Sequence, residues 1–348
     1  MLEIGAIERL RVRALGAVAR GSLATPQALS RAIVGPPRRN DRGDALDAQV
    51  HLICWLQERL QPPLTRSDIA GARRAMRRGM AVAGKPRPAG VSCQPLQLAA
   101  RPCRLYRPAA GAGSLPLVVY YHGGGWVLGD LDSHDGVCGR IAAELPALVL
   151  SVDYRLAPEH VCPAAFEDAF AVYRALDAAA LGADPGRVAV MGDSAGGNLA
   201  AAIAMACRDR GQRPPALQVL CYPGLDLRRR HASHRTCAEG PLLTAADIEF
   251  FIGKYGASDL RDPRVSPGAD HPLDGLAPAI VTTSGFDPLR DECEDYAGRL
   301  GAAGVAVQHL HEPHLPHGYL SLDGLLPAAD TAVARLMDAV RAALLPRS

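Results

Sequence analysis

Val188-Ala189-Val190-Met191-Gly192-Asp193-Ser194-Ala195-Gly196 runs from a short apolar, β-branched stretch into an Ala-rich segment. The first part reads as a buried strand and the second as a helix, so Ser194 falls on the turn between them. A serine hydroxyl is a weak nucleophile at neutral pH. It needs a tight turn that exposes it, a neighbouring base, and donors for the oxyanion that forms when it attacks. Gly192 and Gly196 permit such a turn. With 35 glycines in 348 residues, a Gly-x-Ser-x-Gly string arises by chance about 0.14 times, so the pentapeptide is suggestive only in company.

That company is His122-Gly123-Gly124-Gly125-Trp126, directly after the apolar run Leu117-Val118-Val119-Tyr120-Tyr121. A His-Gly-Gly-Gly string is expected only about 0.01 times in this composition. Consecutive glycines leave backbone N–H groups uncovered, and such groups can face a developing oxyanion. Gly124, Gly125 and Ala195 are the expected donors. A phosphate cradle would want a Lys or Gly-x-Gly-x-x-Gly spacing followed by an acidic residue, and neither is present.

A serine on such an elbow implies an acid and then a histidine later in the chain. Ala279 to Phe286 reads as a buried strand, and Asp287 lies at its carboxyl end, where ligand-facing groups of an open parallel sheet collect. Asp291 and Glu292 are expected inside the following helix, on a solvated face. For the base, His309, His311, His314 and His317 all follow the short strand Val305-Ala306-Val307. His317, flanked by Pro316 and Gly318, is the one placed in a loop able to swing over Ser194. The other three are expected on strand or loop surface. No Cys or second tight His pair completes a zinc pattern, and serine hydrolysis needs no metal or other cofactor.

On these residues the chain resembles the hormone-sensitive-lipase-like bacterial carboxylesterases, family IV of the α/β-hydrolase superfamily. The resemblance spans roughly residues 45 to 345 and includes His122 to Trp126, Asp153-Tyr154-Arg155-Leu156-Ala157-Pro158-Glu159-His160, Gly192 to Asn198, Asp287 to Glu292, and His317-Gly318. Tyr319 stands where relatives usually carry Phe. The resemblance implies an α/β-hydrolase fold with a mostly parallel central sheet flanked by helices and a helical cap, with nucleophile Ser194, acid Asp287, base His317, and an oxyanion hole from the glycine loop and Ala195. Residues 153–160 would then brace the glycine loop. The expected organisation is an N-terminal extension over 1–44, a first cap segment over 45–90, core over 91–223, a second cap contribution over 224–258, and core again over 259–348. Within the cap, helices are expected from about Leu46, broken at Pro62-Pro63 and reopened at Ser67, and again over Ala245 to Tyr255.

Composition fits an enzyme of small molecules. Net charge is +2, with 36 Arg interleaved among acids and only 2 Lys, which argues against a nucleic-acid binder; Arg228-Arg229-Arg230 is expected to be a solvated loop. Nine irregularly spaced cysteines suggest free thiols rather than a disulfide framework, hence a cytoplasmic protein. No apolar run is long enough to span a bilayer. The expected partner is a small-molecule acyl ester, with short to medium chains favoured by the resemblance, and a homodimer is compatible with the sequence. An amidase, deacetylase or lactone hydrolase would use the same triad. A ligand receptor on this scaffold would lack the histidine.

Overall fold

The computed structural model describes residues 27–60, 68–109 and 114–345. Eight strands form one sheet: β1 Val91–Leu98, β2 Arg101–Pro108, β3 Leu115–Tyr121, β4 Leu148–Val152, β5 Ala183–Asp193, β6 Leu217–Cys221, β7 Ala279–Phe286 and β8 Val307–Pro316. Their spatial order is β1-β2-β4-β3-β5-β6-β7-β8. Pairings of β1 with β2 and of β2 with β4 are antiparallel; every pairing from β4 through β8 is parallel. Chain order departs from spatial order at β3 and β4, so the C-terminal ends of β3 and β5 lie side by side, which is where ligand-facing loops of an open parallel sheet gather.

Side-chain alternation builds two cores. Leu117, Val119 and Tyr121 of β3, with Val188 and Val190 of β5, face one side, while Val118, Tyr120, Ala189 and Met191 face the other. The first face is covered by α5 (Ala164–Arg174), α6 (Ala195–Asp209) and α9 (Arg290–Ala302), through Phe166, Leu199, Ile203, Tyr296 and Leu300. On the second face lie α4 (Asp135–Glu144) and α10 (Pro327–Leu344), through Val137, Ile141, Leu336 and Val340. Both faces of the sheet are buried, which explains why β3, β5 and β7 read as near-continuous apolar runs.

Towards the N-terminus, α1 (Gln27–Val34) packs on α2 (Ala48–Leu60), and Leu46, Val50 and Cys54 join the second core. Helix α3 (Ile69–Ala83) begins at an Asp68 cap, whose carboxylate accepts the Gly71 N–H, one residue later than the sequence suggested; Ser67 and the Pro62-Pro63 break lie outside the described residues. The short α7 (Ser233–Thr236) precedes α8 (Ala245–Tyr255), whose bounds agree with the sequence reading and which carries a Thr244–Asp247 capping box.

Three expectations are corrected. Strand β8 is far longer than Val305 to Val307 and carries His309, His311 and His314 within it. Glu292 is 2 % exposed rather than solvated: its carboxylate accepts N–H groups of Leu225 and Asp226 and meets His234 Nε2 at 2.8 Å. Arg228, Arg229 and Arg230 do not form a free basic loop, because each is paired with Asp226, Asp270 or Glu249.

Leu336 is fully buried between α10 and the sheet, far from the strand ends. Leu336→Ala is expected to lower unfolding free energy by about 3 kcal/mol in urea denaturation; a loss under about 1 kcal/mol would contradict this packing.

Candidate active site

Ser194 occupies the turn between β5 and α6 at φ 54°, ψ −117°, a conformation that L-residues avoid. The elbow is this tight because two backbones pass against it. A Cβ on Gly196 would overlap the Tyr121 carbonyl, and one on Gly192 would overlap Gly196 itself. Around the serine, its N–H donates to Cys221 O at 2.9 Å and its own carbonyl accepts the Asn198 N–H at 3.0 Å. Asn198, fully buried, donates through Nδ2 to Gly224 O and Val265 O and so fastens α6 to the loop after β6.

His317 immediately follows β8. Its Nε2 is 2.9 Å from Ser194 Oγ and its Nδ1 is 2.8 Å from Asp287 Oδ2. Asp287 is fully buried at the end of β7, and its other oxygen accepts the Leu289 N–H at 2.8 Å. Three side chains distant in sequence therefore form one hydrogen-bonded line. Tyr222 packs edge-on against the His317 ring at 4.8 Å between centroids, limiting ring rotation. Nothing in the sequence flagged Tyr222, since it reads as the end of a buried strand.

The glycine loop follows β3 beside the elbow. Gly124 and Gly125 have φ of +119° and +62°, which glycine alone adopts without strain. The N–H groups of Gly124, Gly125 and Ala195 make no hydrogen bond to the protein among the described residues. Bracing comes from the 153–160 segment: Tyr154 donates to His122 O at 2.6 Å and stacks on its ring at 4.3 Å, while the Ala157 N–H donates to Trp126 O at 2.9 Å. A second brace was not legible in the sequence. Asp193, next to the nucleophile and 5 % exposed, accepts the Gly123 N–H at 2.9 Å and the Tyr120 hydroxyl at 2.6 Å. Burial would raise the Asp193 pKa, but the nearby His134 and the Tyr120 hydrogen bond outweigh it and hold it below the ordinary carboxylate range. His134 Nε2 lies 3.4 Å from the same oxygen, close enough for charge contact but without hydrogen-bond geometry.

Above the loop, Arg73 of α3 donates to Val127 O and Ala157 O and forks onto Glu159, and Arg77 pairs with Asp130. Phe251 of α8 lies so close over Gly125 that a Cβ there would overlap its ring. Met76 and Phe251 pack on the same small apolar cluster of Ala72, Val127 and Leu128.

The remaining histidines are engaged elsewhere. Thr283 Oγ1 sits 2.8 Å from both His309 Nε2 and His311 Nδ1, and Glu294 joins them to make a cluster with ligand atoms within 4.8 Å of one another. Both Glu294 oxygens already accept from Arg42. None of the nine cysteines is in a disulfide, and seven are buried. Among the described residues no helix is long and apolar enough to cross a membrane.

Residues 118–321 match the model of a family with the alpha/beta hydrolase fold. The chain is 47 % identical over 255 residues to the carboxylic ester hydrolase LipN of Mycobacterium tuberculosis, covering 70 % of this chain and 67 % of that one. It is 44 % identical over 250 residues to the carboxylesterase NlhH of the same species, covering 70 % and 78 %. Among solved structures, it is similar to the ester hydrolase EH1AB1 from the Lake Arreo metagenome, bound to a bipyridine phosphonate derivative, with TM-score 0.79, 38 % identity and coverage of 84 % and 96 %. A Pyrobaculum calidifontis esterase matches with TM-score 0.74, 36 % identity and coverage of 83 % and 97 %.

His122 is fully buried, and burial, with the neighbouring His134 adding, pushes its pKa from 6.5 down to about 4. The folded state thus binds this proton more weakly than the unfolded chain does. Stability is complete above about 6.5 and falls as pH drops towards 4, by about 3 kcal/mol from this group. Thermal melting from pH 7 to 4 should show the loss, with a shallower slope in His122→Gln; parallel slopes would exclude His122 as its source.

Proposed function

The chain belongs to the α/β-hydrolase family, in its hormone-sensitive-lipase-like carboxylesterase branch, and from that premise we propose a two-step acyl transfer on Ser194. The protein is a carboxylic ester hydrolase acting on small-molecule esters. In the first step the Ser194 hydroxyl attacks the ester carbonyl while His317 Nε2 takes its proton. Asp287 keeps the imidazole in the tautomer that leaves Nε2 free and stabilises the imidazolium. The N–H groups of Gly124, Gly125 and Ala195 receive the oxyanion; among the described residues none donates to another protein group, so no such bond need break as charge develops. His317 then protonates the departing alcohol. A water activated by the same ring releases the acid. The observation that carries this reading is the continuous line from Asp287 Oδ2 through His317 to Ser194 Oγ, with both hydrogen bonds under 3 Å.

We place the cap in residues 45–90 and 224–258, with α3 and α8 meeting over the glycine loop. A cap there excludes water and bounds the acyl pocket. Phe251 stands where a chain bound beside Gly125 must pass, which favours short to medium acyl groups. Nine cysteines with no disulfide among them fit a reducing cytoplasmic compartment.

Ser194→Ala and His317→Ala should each lower kcat for p-nitrophenyl acetate by about 10⁴-fold or more, and the double variant by little beyond that, because the two act as a unit. Native-like turnover by Ser194→Ala would end the proposal. A rate series from acetate to palmitate esters, with phenylacetamide alongside, ranks chain length and tests amide cleavage. In that series Phe251→Ala should shift the optimum to longer chains; an unchanged profile would remove Phe251 from the pocket wall.

A further inference from the structure

Residues Arg38 to Asp47 precede the family match and form a compact hairpin. Arg39 and Ala45 bridge, the Asn40 N–H donates to Asp44 O at 3.1 Å, the Leu46 N–H donates to Arg38 O at 2.9 Å, and Gly43 turns the chain at φ +85°. One side of this hairpin holds the turn that carries Asp287. Asn40 Nδ2 donates to Gly285 O at 2.9 Å, and the Arg290 guanidinium forks onto the Asp41 carboxylate at 2.8 and 2.9 Å while also donating to Gly285 O at 3.2 Å. Arg290 in turn donates its N–H to Asp287 O at 3.1 Å. The other side holds the strand end that carries His317. Ala45 O is 2.9 Å from His314 Nδ1, and the Asp47 N–H donates to His314 O at 3.1 Å.

We propose that Asn40 and Asp41 are positioning residues for hydrolysis: the hairpin straps the Gly285–Arg290 turn to the end of β8, so that Asp287 and His317 are held in mutual register. The inference rests on the triad reading above. Arg290 is 1 % exposed, and a guanidinium buried that deeply must keep its partners. Asp41 supplies a bidentate partner from outside the catalytic core, and the strength of the pairing shows in an Asp41 pKa lowered to about 2 by the Arg290 hydrogen bond. Without Asp41, the guanidinium retains Gly285 O in the turn and Asp291 in the first turn of α9, with no tie to the hairpin's carboxylate, and the turn is free to close around the charge. A shift of the Asp287 carboxylate by a fraction of an ångström is enough to misalign the imidazole, and misplacement on that scale slows turnover without weakening substrate binding.

The test uses the full-length chain, with turnover expressed per mole of enzyme titrated by an organophosphonate and measured well below the melting temperature of each variant. Asp41→Asn should lower kcat for p-nitrophenyl acetate about tenfold, with KM within about twofold. It should also weaken or displace the far-downfield proton resonance of the His317 Nδ1–H bonded to Asp287. Asp41→Glu, which can still meet Arg290, should restore kcat to within about threefold of the native enzyme. Asn40→Ala removes the bond to Gly285 O together with the side-chain bonds to Arg42 and Asp44 inside the hairpin, yet keeps the ion pair, so it carries the same readouts if Asp41→Asn does not fold. A native kcat and an unmoved resonance in the folded variants, whatever happens to the melting temperature, would reduce the hairpin to a stability element and overturn the proposal. Failure of the triad itself would appear separately, as an active Ser194→Ala enzyme.

Discussion

The Asp193 carboxylate is the contact that the chemistry of this chain depends on. It sits one residue before Ser194, and it accepts the first N–H of the glycine loop and the Tyr120 hydroxyl in a space with almost no water. Hence the end of β5, which carries Ser194, and the end of β3, which carries the glycine loop, are joined by one buried charge. Such a charge persists only when donors meet it, here the Gly123 N–H and the Tyr120 hydroxyl, with the His134 ring beside it at 3.4 Å. The proposed nucleophile and oxyanion donors are therefore joined in one unit, which is what preorganised stabilisation of a transition state requires.

The outline of the site was legible because its parts are local. An apolar strand ending in glycines leaves a plain mark, and β3, β5 and β7 were placed from it. Asp287 followed from its position at a strand end. His317 could be chosen among four histidines because flanking Pro316 and Gly318 placed it in a loop beyond the strand. What escaped depends on partners remote in sequence. Glu292 belongs to a helix whose polar face looks solvated, and its burial arises from amide groups of residues 225 and 226 folding onto it. Strand β8 lies at the sheet edge, where one side is open and polar residues such as Gln308, His309 and His311 are tolerated, so the alternation that reveals interior strands is missing. The hairpin near Asn40 leaves no mark of its role, since each of its contacts to the Asp287 turn and to β8 spans more than two hundred residues.

The strong preference for arginine over lysine acquires a structural meaning. Arg73 ties α3 to the segment bracing the glycine loop, Arg290 ties the Asp41 hairpin to the Asp287 turn, and Arg140 ties α4 to Asp323. A planar fork with five donors can satisfy a carboxylate and a carbonyl together, which a lysine ammonium does with less geometric control. These bridges add directional bonds to the apolar contacts the segments already share, and so narrow the orientation that core packing alone would allow.

The dihedral angles of Ser194 place function and durability in opposition. A residue with a Cβ held at φ 54°, ψ −117° stores strain that a glycine at the same point would release. Relaxed selection would let the hydroxyl be lost to a sturdier backbone, so within such a lineage an inert descendant is thermodynamically downhill from its working ancestor.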